Sequence, residues 1–71
     1  MKTITEIKEA ARRPEDFNLN HKWVVVHQET GRYLQSECSQ HAAEWAARVH
    51  HEHMSSLGYP ATYSVEEVSY D

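Results

Sequence analysis

The chain has 71 residues and one cysteine, which predicts a single small domain over residues 1–71, excludes an intrachain disulfide and favours a reducing compartment. The polar residues after the first methionine do not form the apolar segment of a signal peptide, and no apolar run has the length of a membrane span, so we expect a cytoplasmic protein with no membrane partner. The net charge is −4, the sum of +1 over residues 1–32 and −5 over residues 33–71, and the acidic second half disfavours direct nucleic-acid binding through a basic face.

The chain begins with a short predicted helix. Thr3 has the position of an N-cap, and Glu6 follows it at the spacing of a capping box. Pro14 should end the helix near Arg13, because the residue before a proline is driven out of the helical region. The apolar residues recur at helical spacing, at Ile4, Ile7 and Ala11.

After a loop over residues 14–21 with Phe17 and Leu19 as core anchors, residues 22–28 predict a strand that is apolar on both faces. A turn over residues 29–31 places Gly31 where a positive φ is needed, and residues 32–36 form the return strand. We expect this hairpin to pair Val26 with Leu34 and His27 with Tyr33. The two faces would then hold Trp23, Val25 and Tyr33 on one side and Val24, Val26 and Leu34 on the side of the long helix.

The long helix is predicted from Gln40 to about Leu57, with Ser39 as N-cap, Gly58 as the left-handed C-cap and Pro60 beyond it. Its expected apolar stripe comprises Ala42, Trp45, Ala46, Val49, His53 and Leu57. The opposite, solvated side comprises Glu44, Arg48, His51 and Ser55.

Residues 62–70 predict the last strand. Its apolar positions change phase between Val65 and Val68, which either a bulge near Glu66 and Glu67 or a charged edge strand would explain. The expected fold is α+β, with the order α-β-β-α-β. It has a three-stranded, mainly antiparallel sheet, the strand over residues 22–28 in the centre, and one long helix packed on a face.

The candidate sites are surfaces for protein contact. The face formed by Trp23, Val25 and Tyr33, extended by Tyr63, is either covered by the first helix or exposed as an aromatic interaction patch. The acidic helix offers a second set of candidates, which comprises Glu44, Arg48 and Glu52.

The histidine-rich part of the long helix does not predict a metal site. His50 and His53 lie three residues apart, but His51 points well away from both, so three ligands cannot converge. His53, in the expected apolar stripe, is a candidate for a pH-sensitive core-edge histidine. Cys38 near His41 lacks the cleft and oriented base that a thiol enzyme needs. We therefore expect no cofactor and no enzymatic activity.

The sequence favours a non-enzymatic, acidic protein-binding module. It has the profile of an accessory or modulator protein, of the kind that phages and mobile elements encode, and its partner is another protein or a second copy. The alternative is a regulator linked to nucleic acid. Such a protein would act directly through Lys8, Arg12 and Arg13, or by mimicry of phosphates through Glu44, Glu52, Glu66, Glu67 and Asp71.

Overall fold

The computed structural model describes residues 2–59 and 61–70, so that Pro60 and Asp71, both used in the predictions above, lie outside the described residues. The expected order α-β-β-α-β is confirmed. The elements are α1 (Ile4–Ala10), a 3₁₀ turn (Pro14–Asp16), β1 (Trp23–His27), β2 (Arg32–Glu37), α2 (Gln40–Ser56) and β3 (Tyr63–Glu67). The sheet order is β2-β1-β3 and both pairings are antiparallel, which confirms the apolar strand as the central one.

Helix α1 has the predicted capping box but is shorter than expected. The Thr3 side chain accepts a hydrogen bond from the Glu6 backbone N–H at 3.2 Å, and the Glu6 carboxylate accepts one from the Thr3 N–H. The helix ends at Ala10 rather than near Arg13, because Ala11 already has extended backbone angles. Lys8 then holds the following turn, donating to the carbonyl of Phe17 at 2.6 Å.

The N-terminal segment covers one face of the sheet. Its core there is made of large apolar side chains, which comprise Ile4, Ile7, Phe17, Val24, Val26 and Val68. The alternative in which this segment covers the Trp23 and Val25 side is therefore wrong. The prediction that Val24 and Val26 face the long helix is wrong for the same reason.

Helix α2 covers the opposite face. The cluster beneath it comprises Val25, Ala43, Ala46 and Ala47, with Trp23, Leu34, Tyr63 and Val65 packed around it. The expected apolar stripe is wrong, because the buried face of α2 lies about one residue further around the helix. Of the stripe, only Ala46 is buried, and four members are exposed, namely Trp45, Val49, His53 and Leu57. Alanines face the sheet because their small side chains let the helix backbone lie close to the central strand.

The hairpin contains a β-bulge that the sequence did not predict. Val25 pairs with Gln35 as expected, but Val26 pairs with Tyr33 and His27 with Arg32, which leaves Leu34 as the extra residue. Because a shift of one residue reverses the face of a side chain, Tyr33 packs on the α1 side and Leu34 on the α2 side. The turn itself is confirmed, with Gly31 at a φ of 70°.

Strand β3 is an edge strand without a bulge. Its pairing with β1 continues from Tyr63 to Glu67 without a register shift, so the proposed bulge at Glu66 and Glu67 is wrong and the edge-strand alternative is confirmed. The apolar positions change phase because β3 serves both cores. Tyr63 and Val65 face α2, whereas Val68, just after the strand, faces α1.

Candidate functional site

A groove runs between α2 and the edge strand β3. Its cavity volume is about 480 Å³. The helix side is lined by Gln40, Glu44, Ala47, Arg48 and His51, and the strand side by Thr62, Tyr63, Ser64 and Val65. The groove is therefore polar along the helix rim and apolar where Ala47 meets Val65.

The outer edge of β3 presents free backbone groups beside this groove. The Gln28 N–H donates to the Thr62 carbonyl at 2.9 Å, and the Val68 N–H donates to the Lys22 carbonyl at 2.7 Å. Because an antiparallel ladder alternates, the even-numbered residues of β3 bond to β1. The N–H and C=O groups of Tyr63, Val65 and Glu67 therefore point away from the sheet, and no backbone hydrogen bond within residues 2–59 and 61–70 reaches them.

The open edge is bounded at both ends. Beyond its C-terminal end, Thr3 forms a parallel bridge with Ser69, and the Ile4 N–H donates to the Ser69 carbonyl at 3.0 Å. Before its N-terminal end, the Ala61 carbonyl accepts a hydrogen bond from His51 Nδ1–H at 2.8 Å, while the Thr62 N–H, which faces β1, donates to the two carboxylate oxygens of Glu29 at 2.7 and 3.1 Å. That hydrogen bond lowers the pKa of Glu29 from its ordinary value of 4.5. The free edge is thus limited to the five residues of β3.

The helix rim of the groove carries one charge of each sign. Glu44 and Arg48 stand four residues apart, but they form no ion pair within 4.0 Å, and among the described residues no carboxylate lies within that distance of Arg48. His51 is held in place, because its Nδ1 lies 2.8 Å from the Ala61 carbonyl oxygen. A carbonyl only accepts, so Nδ1–H is the donor and Nε2 is the ring nitrogen left for a ligand.

A network of aromatic and polar side chains supports the floor of the groove. The Tyr63 ring meets the His27 ring edge-on at 5.2 Å and stacks on the His50 ring at 5.6 Å. His50 Nε2 lies 2.8 Å from Gln35 Oε1, and the Gln35 amide donates to Glu37 at 2.6 Å. These contacts link α2 to all three strands, so the wall and floor of the groove are positioned together.

The structure separates the residues that the sequence grouped as one aromatic patch. Val25 is fully buried and Trp23 half-buried beneath α2, so neither is an exposed anchor. Tyr33 lies on the other face, where burial and then the nearby Glu66 carboxylate raise its pKa above 10.0. Tyr63 does share the face of Trp23 and Val25, and it lines the groove.

Of the predicted helix residues, Glu44 and Arg48 lie in the groove and Glu52 lies outside its lining. His53 is exposed, so the expected core-edge burial of this histidine is wrong. Sequence reasoning missed Ala47 and Val65 as groove residues. The signal for them is the edge position of the last strand, which the sequence reasoning used only to explain the phase change of its apolar positions.

A smaller cavity, of about 170 Å³, lies at the other edge of the sheet. It is lined by Arg12, Arg13, Arg32, Tyr33 and Leu34. Arg13 pairs with Glu15 at 3.2 Å and with Asp16 at 3.4 Å, whereas Arg12 and Arg32 have no carboxylate within 4.0 Å among the described residues. Arg32 was absent from the predicted basic patch because the fold, and not the sequence, brings it beside Arg12.

Other sequence candidates are dispersed by the fold. Cys38 is exposed. Within residues 2–59 and 61–70, no group of three or more His, Cys, Asp or Glu side chains could hold a metal ion. The carboxylates considered for mimicry point in different directions, since Glu66 lies towards Tyr33 and Glu67 pairs with Lys22 at 3.2 Å. No helix in the described part of the chain is long and apolar enough to cross a membrane.

No protein-family model, no curated protein and no solved structure matches the chain.

Proposed function

We propose that the protein is a non-enzymatic binding module, an accessory or modulator of another protein, and that it binds an extended polypeptide segment along β3. The observation that carries the proposal is the outward direction of the N–H and C=O groups of Tyr63, Val65 and Glu67 at the rim of the groove. A segment that pairs with these groups would become a fourth strand of the sheet. Its side chains on the α2 side would enter the groove.

Strand addition to an exposed sheet edge is a general mode of peptide recognition, in which main-chain hydrogen bonds supply affinity and side-chain pockets supply specificity. Both parts are present here. The three outward residues offer the hydrogen bonds, and the apolar side chains of Ala47 and Val65 in the groove lining offer a site for an apolar side chain of the segment. Among the described residues no carboxylate lies within 4.0 Å of Arg48. This favours a segment that carries its own carboxylate near the Arg48 guanidinium group.

The test uses linear peptides selected from a random display library against the whole protein, with binding mapped by amide chemical shifts and hydrogen exchange. We expect the amides of Tyr63, Val65 and Glu67 to gain exchange protection on binding, whereas those of Ser64 and Glu66 are already bonded to β1. Binding that protects amides elsewhere and leaves these three unchanged would contradict the proposal.

The critical variant is Val65→Pro, because Val65 N–H points outward and its loss breaks no bond to β1. We expect peptide affinity to fall by about tenfold or more, since a central hydrogen bond is lost and the proline ring obstructs the approaching strand. The matched control is Val65→Ala, which removes most of the same side chain but keeps the N–H.

Along the helix, Arg48→Ala should weaken binding of acidic peptides, whereas Trp45→Ala, outside the groove lining, should not.

The arginine-lined cavity supports a second candidate function, direct binding of nucleic-acid phosphates. Arg12 and Arg32 are both without a carboxylate neighbour within 4.0 Å in the described residues, and guanidinium groups bind phosphate strongly. The test is binding of a single-stranded oligonucleotide at several salt concentrations. This function requires that the affinity for the oligonucleotide falls as the salt concentration rises. It also requires that Arg32→Ala weakens binding more than the control Lys22→Ala, because the Lys22 ammonium group lies outside this cavity and pairs with Glu67.

A further inference from the structure

We infer that a second copy of the chain pairs with the open edge of β3, in an antiparallel dimer whose two-fold axis passes through Val65. The inference rests on the proposed function, because it uses the same edge and names the occupant of that edge when no other partner is bound. It follows from three properties of β3, which are its hydrogen-bonding phase, its side-chain order and its length.

The hydrogen-bonding phase fits a two-fold axis at Val65. Residues that point their N–H and C=O groups outward can form hydrogen-bonded pairs with the same residues of another copy. An axis at Val65 pairs Val65 with itself, and Tyr63 of each copy with Glu67 of the other. All three outward residues of both strands are then used. An axis at Ser64 would instead pair Tyr63 with Val65 and place Glu67 opposite Ala61, whose carbonyl already accepts a hydrogen bond from His51.

The side-chain order of β3 is self-complementary about the same residue. The strand reads Tyr-Ser-Val-Glu-Glu, with hydroxyl residues before Val65 and carboxylates after it. In the proposed dimer Tyr63 lies opposite Glu67 of the other copy, and Ser64 lies opposite Glu66. Each carboxylate therefore faces a hydroxyl group, and no two carboxylates lie directly opposite each other, an arrangement that would destabilise the pair.

The length of the open edge matches the strand that would occupy it. The Thr3–Ser69 bridge limits the free edge on one side, so an incoming antiparallel strand has room for five residues opposite Tyr63 to Glu67. Strand β3 of a second copy is five residues long. The two-fold axis also places both α2 helices on one face of a six-stranded sheet. Each helix contributes Glu44 and Arg48 to its groove, and these two residues together add no net charge.

The dimer would regulate the proposed function. Because self-pairing occupies the groups that bind a partner segment, the apparent affinity for that segment should decrease as the concentration of the protein rises. The partner and the second copy then compete for one edge, and only the free monomer binds the partner.

The test is sedimentation velocity over a dilution series from millimolar to low-micromolar protein, with wild type and four variants. We expect a monomer–dimer equilibrium that Val65→Pro abolishes and Val65→Ala retains. Ser64→Glu places a carboxylate opposite Glu66 and should raise the dimer dissociation constant by about tenfold, since both symmetric contacts change. The double variant Ser64→Glu/Glu66→Lys should restore dimerisation, because opposite charges then face each other.

A mixed-isotope sample gives the register directly. An intermolecular contact between the Hα atoms of Ser64 and Glu66 is expected, since a non-hydrogen-bonded antiparallel pair brings Cα atoms to about 4.5 Å. A protein that stays monomeric throughout, or a dimer that none of the charge variants changes, would overturn the inference. If the monomer still binds library peptides along Tyr63 to Glu67, only the inference fails. If it does not, the proposed function fails as well.

Discussion

The two faces of the sheet are built from different materials. On the α1 face, large aliphatic and aromatic side chains such as Ile4, Ile7 and Phe17 are almost fully buried. On the α2 face, Val25 meets alanines, and the surrounding contacts are half-buried aromatic rings, histidines and an amide. The α1 face therefore resembles an ordinary protein interior, whereas the α2 face combines a thin core with a polar network and an open groove.

With the proposed function, this difference divides stability and binding between the two faces of one three-stranded sheet. A short helix with two buried isoleucines contributes dense apolar burial, although it has only 7 residues. The longer α2 contributes less apolar area per residue, but its alanines let it lie close to β1, and its flank forms one wall of the groove. The predictions below test that assignment.

The largest effect is expected from Ile7→Ala. Ile7 is 2% exposed and packs in the α1-face core, so its truncation should lower the free energy of unfolding by about 3 kcal/mol through lost burial and the cavity left behind. Urea denaturation measures the change. The comparison variant Val49→Ala, at an exposed position of α2, should change stability by less than about 0.5 kcal/mol. Equal losses of unfolding free energy in Ile7→Ala and Val49→Ala would contradict the assignment of stability to the α1 face.

A smaller effect is expected from Ala43→Leu. The Ala43 side chain is fully buried against Val25, and a larger residue there would push α2 away from the sheet. Overpacking of this kind costs about 2 kcal/mol. The same substitution one position earlier, at the half-buried Ala42, should cost much less, and thermal unfolding of both variants compares them. If Ala43→Leu left the stability unchanged, the close approach of α2 to the sheet would not contribute to the stability of the fold.

The sequence predicted the elements better than it predicted their contacts. Capping and turn residues act locally, so Thr3, Ser39 and Gly31 identified the helix starts and the hairpin turn correctly. The buried face of α2 could not be identified in the same way. Hydrophobicity favours Trp45 and Val49, but the tertiary constraint is how closely the helix can approach a central strand, and that favours alanine.

The candidate site was predicted only in part, for two physical reasons. The bulge at Leu34 depends on how the four-residue turn joins two twisted strands, and a single extra residue moved Tyr33 to the α1 face. The groove depends on which strand lies at the edge beside α2, which is a property of the topology. Tyr63, Glu44 and Arg48 were chosen for their chemistry, and the fold brings these three to one groove.

The smallest expected effect concerns Glu29, which fixes the start of β3. Its carboxylate accepts hydrogen bonds from the Thr62 N–H, and its pKa is lowered mainly for that reason. A pKa lowered by folding contributes stability that is present above the ordinary value of 4.5 and is lost as the pH falls through the folded-state pKa. The stability difference between wild type and Glu29→Gln should therefore shrink as the pH is lowered from about 6 to about 3.

Glu15→Gln is the control, because the pKa of Glu15 is also lowered, but by contacts in the 3₁₀ turn far along the chain from β3. Both variants should lose pH-dependent stability, whereas only Glu29→Gln should increase hydrogen exchange at the Thr62 amide. If exchange at Thr62 were unchanged in Glu29→Gln, the carboxylate would not hold this end of β3.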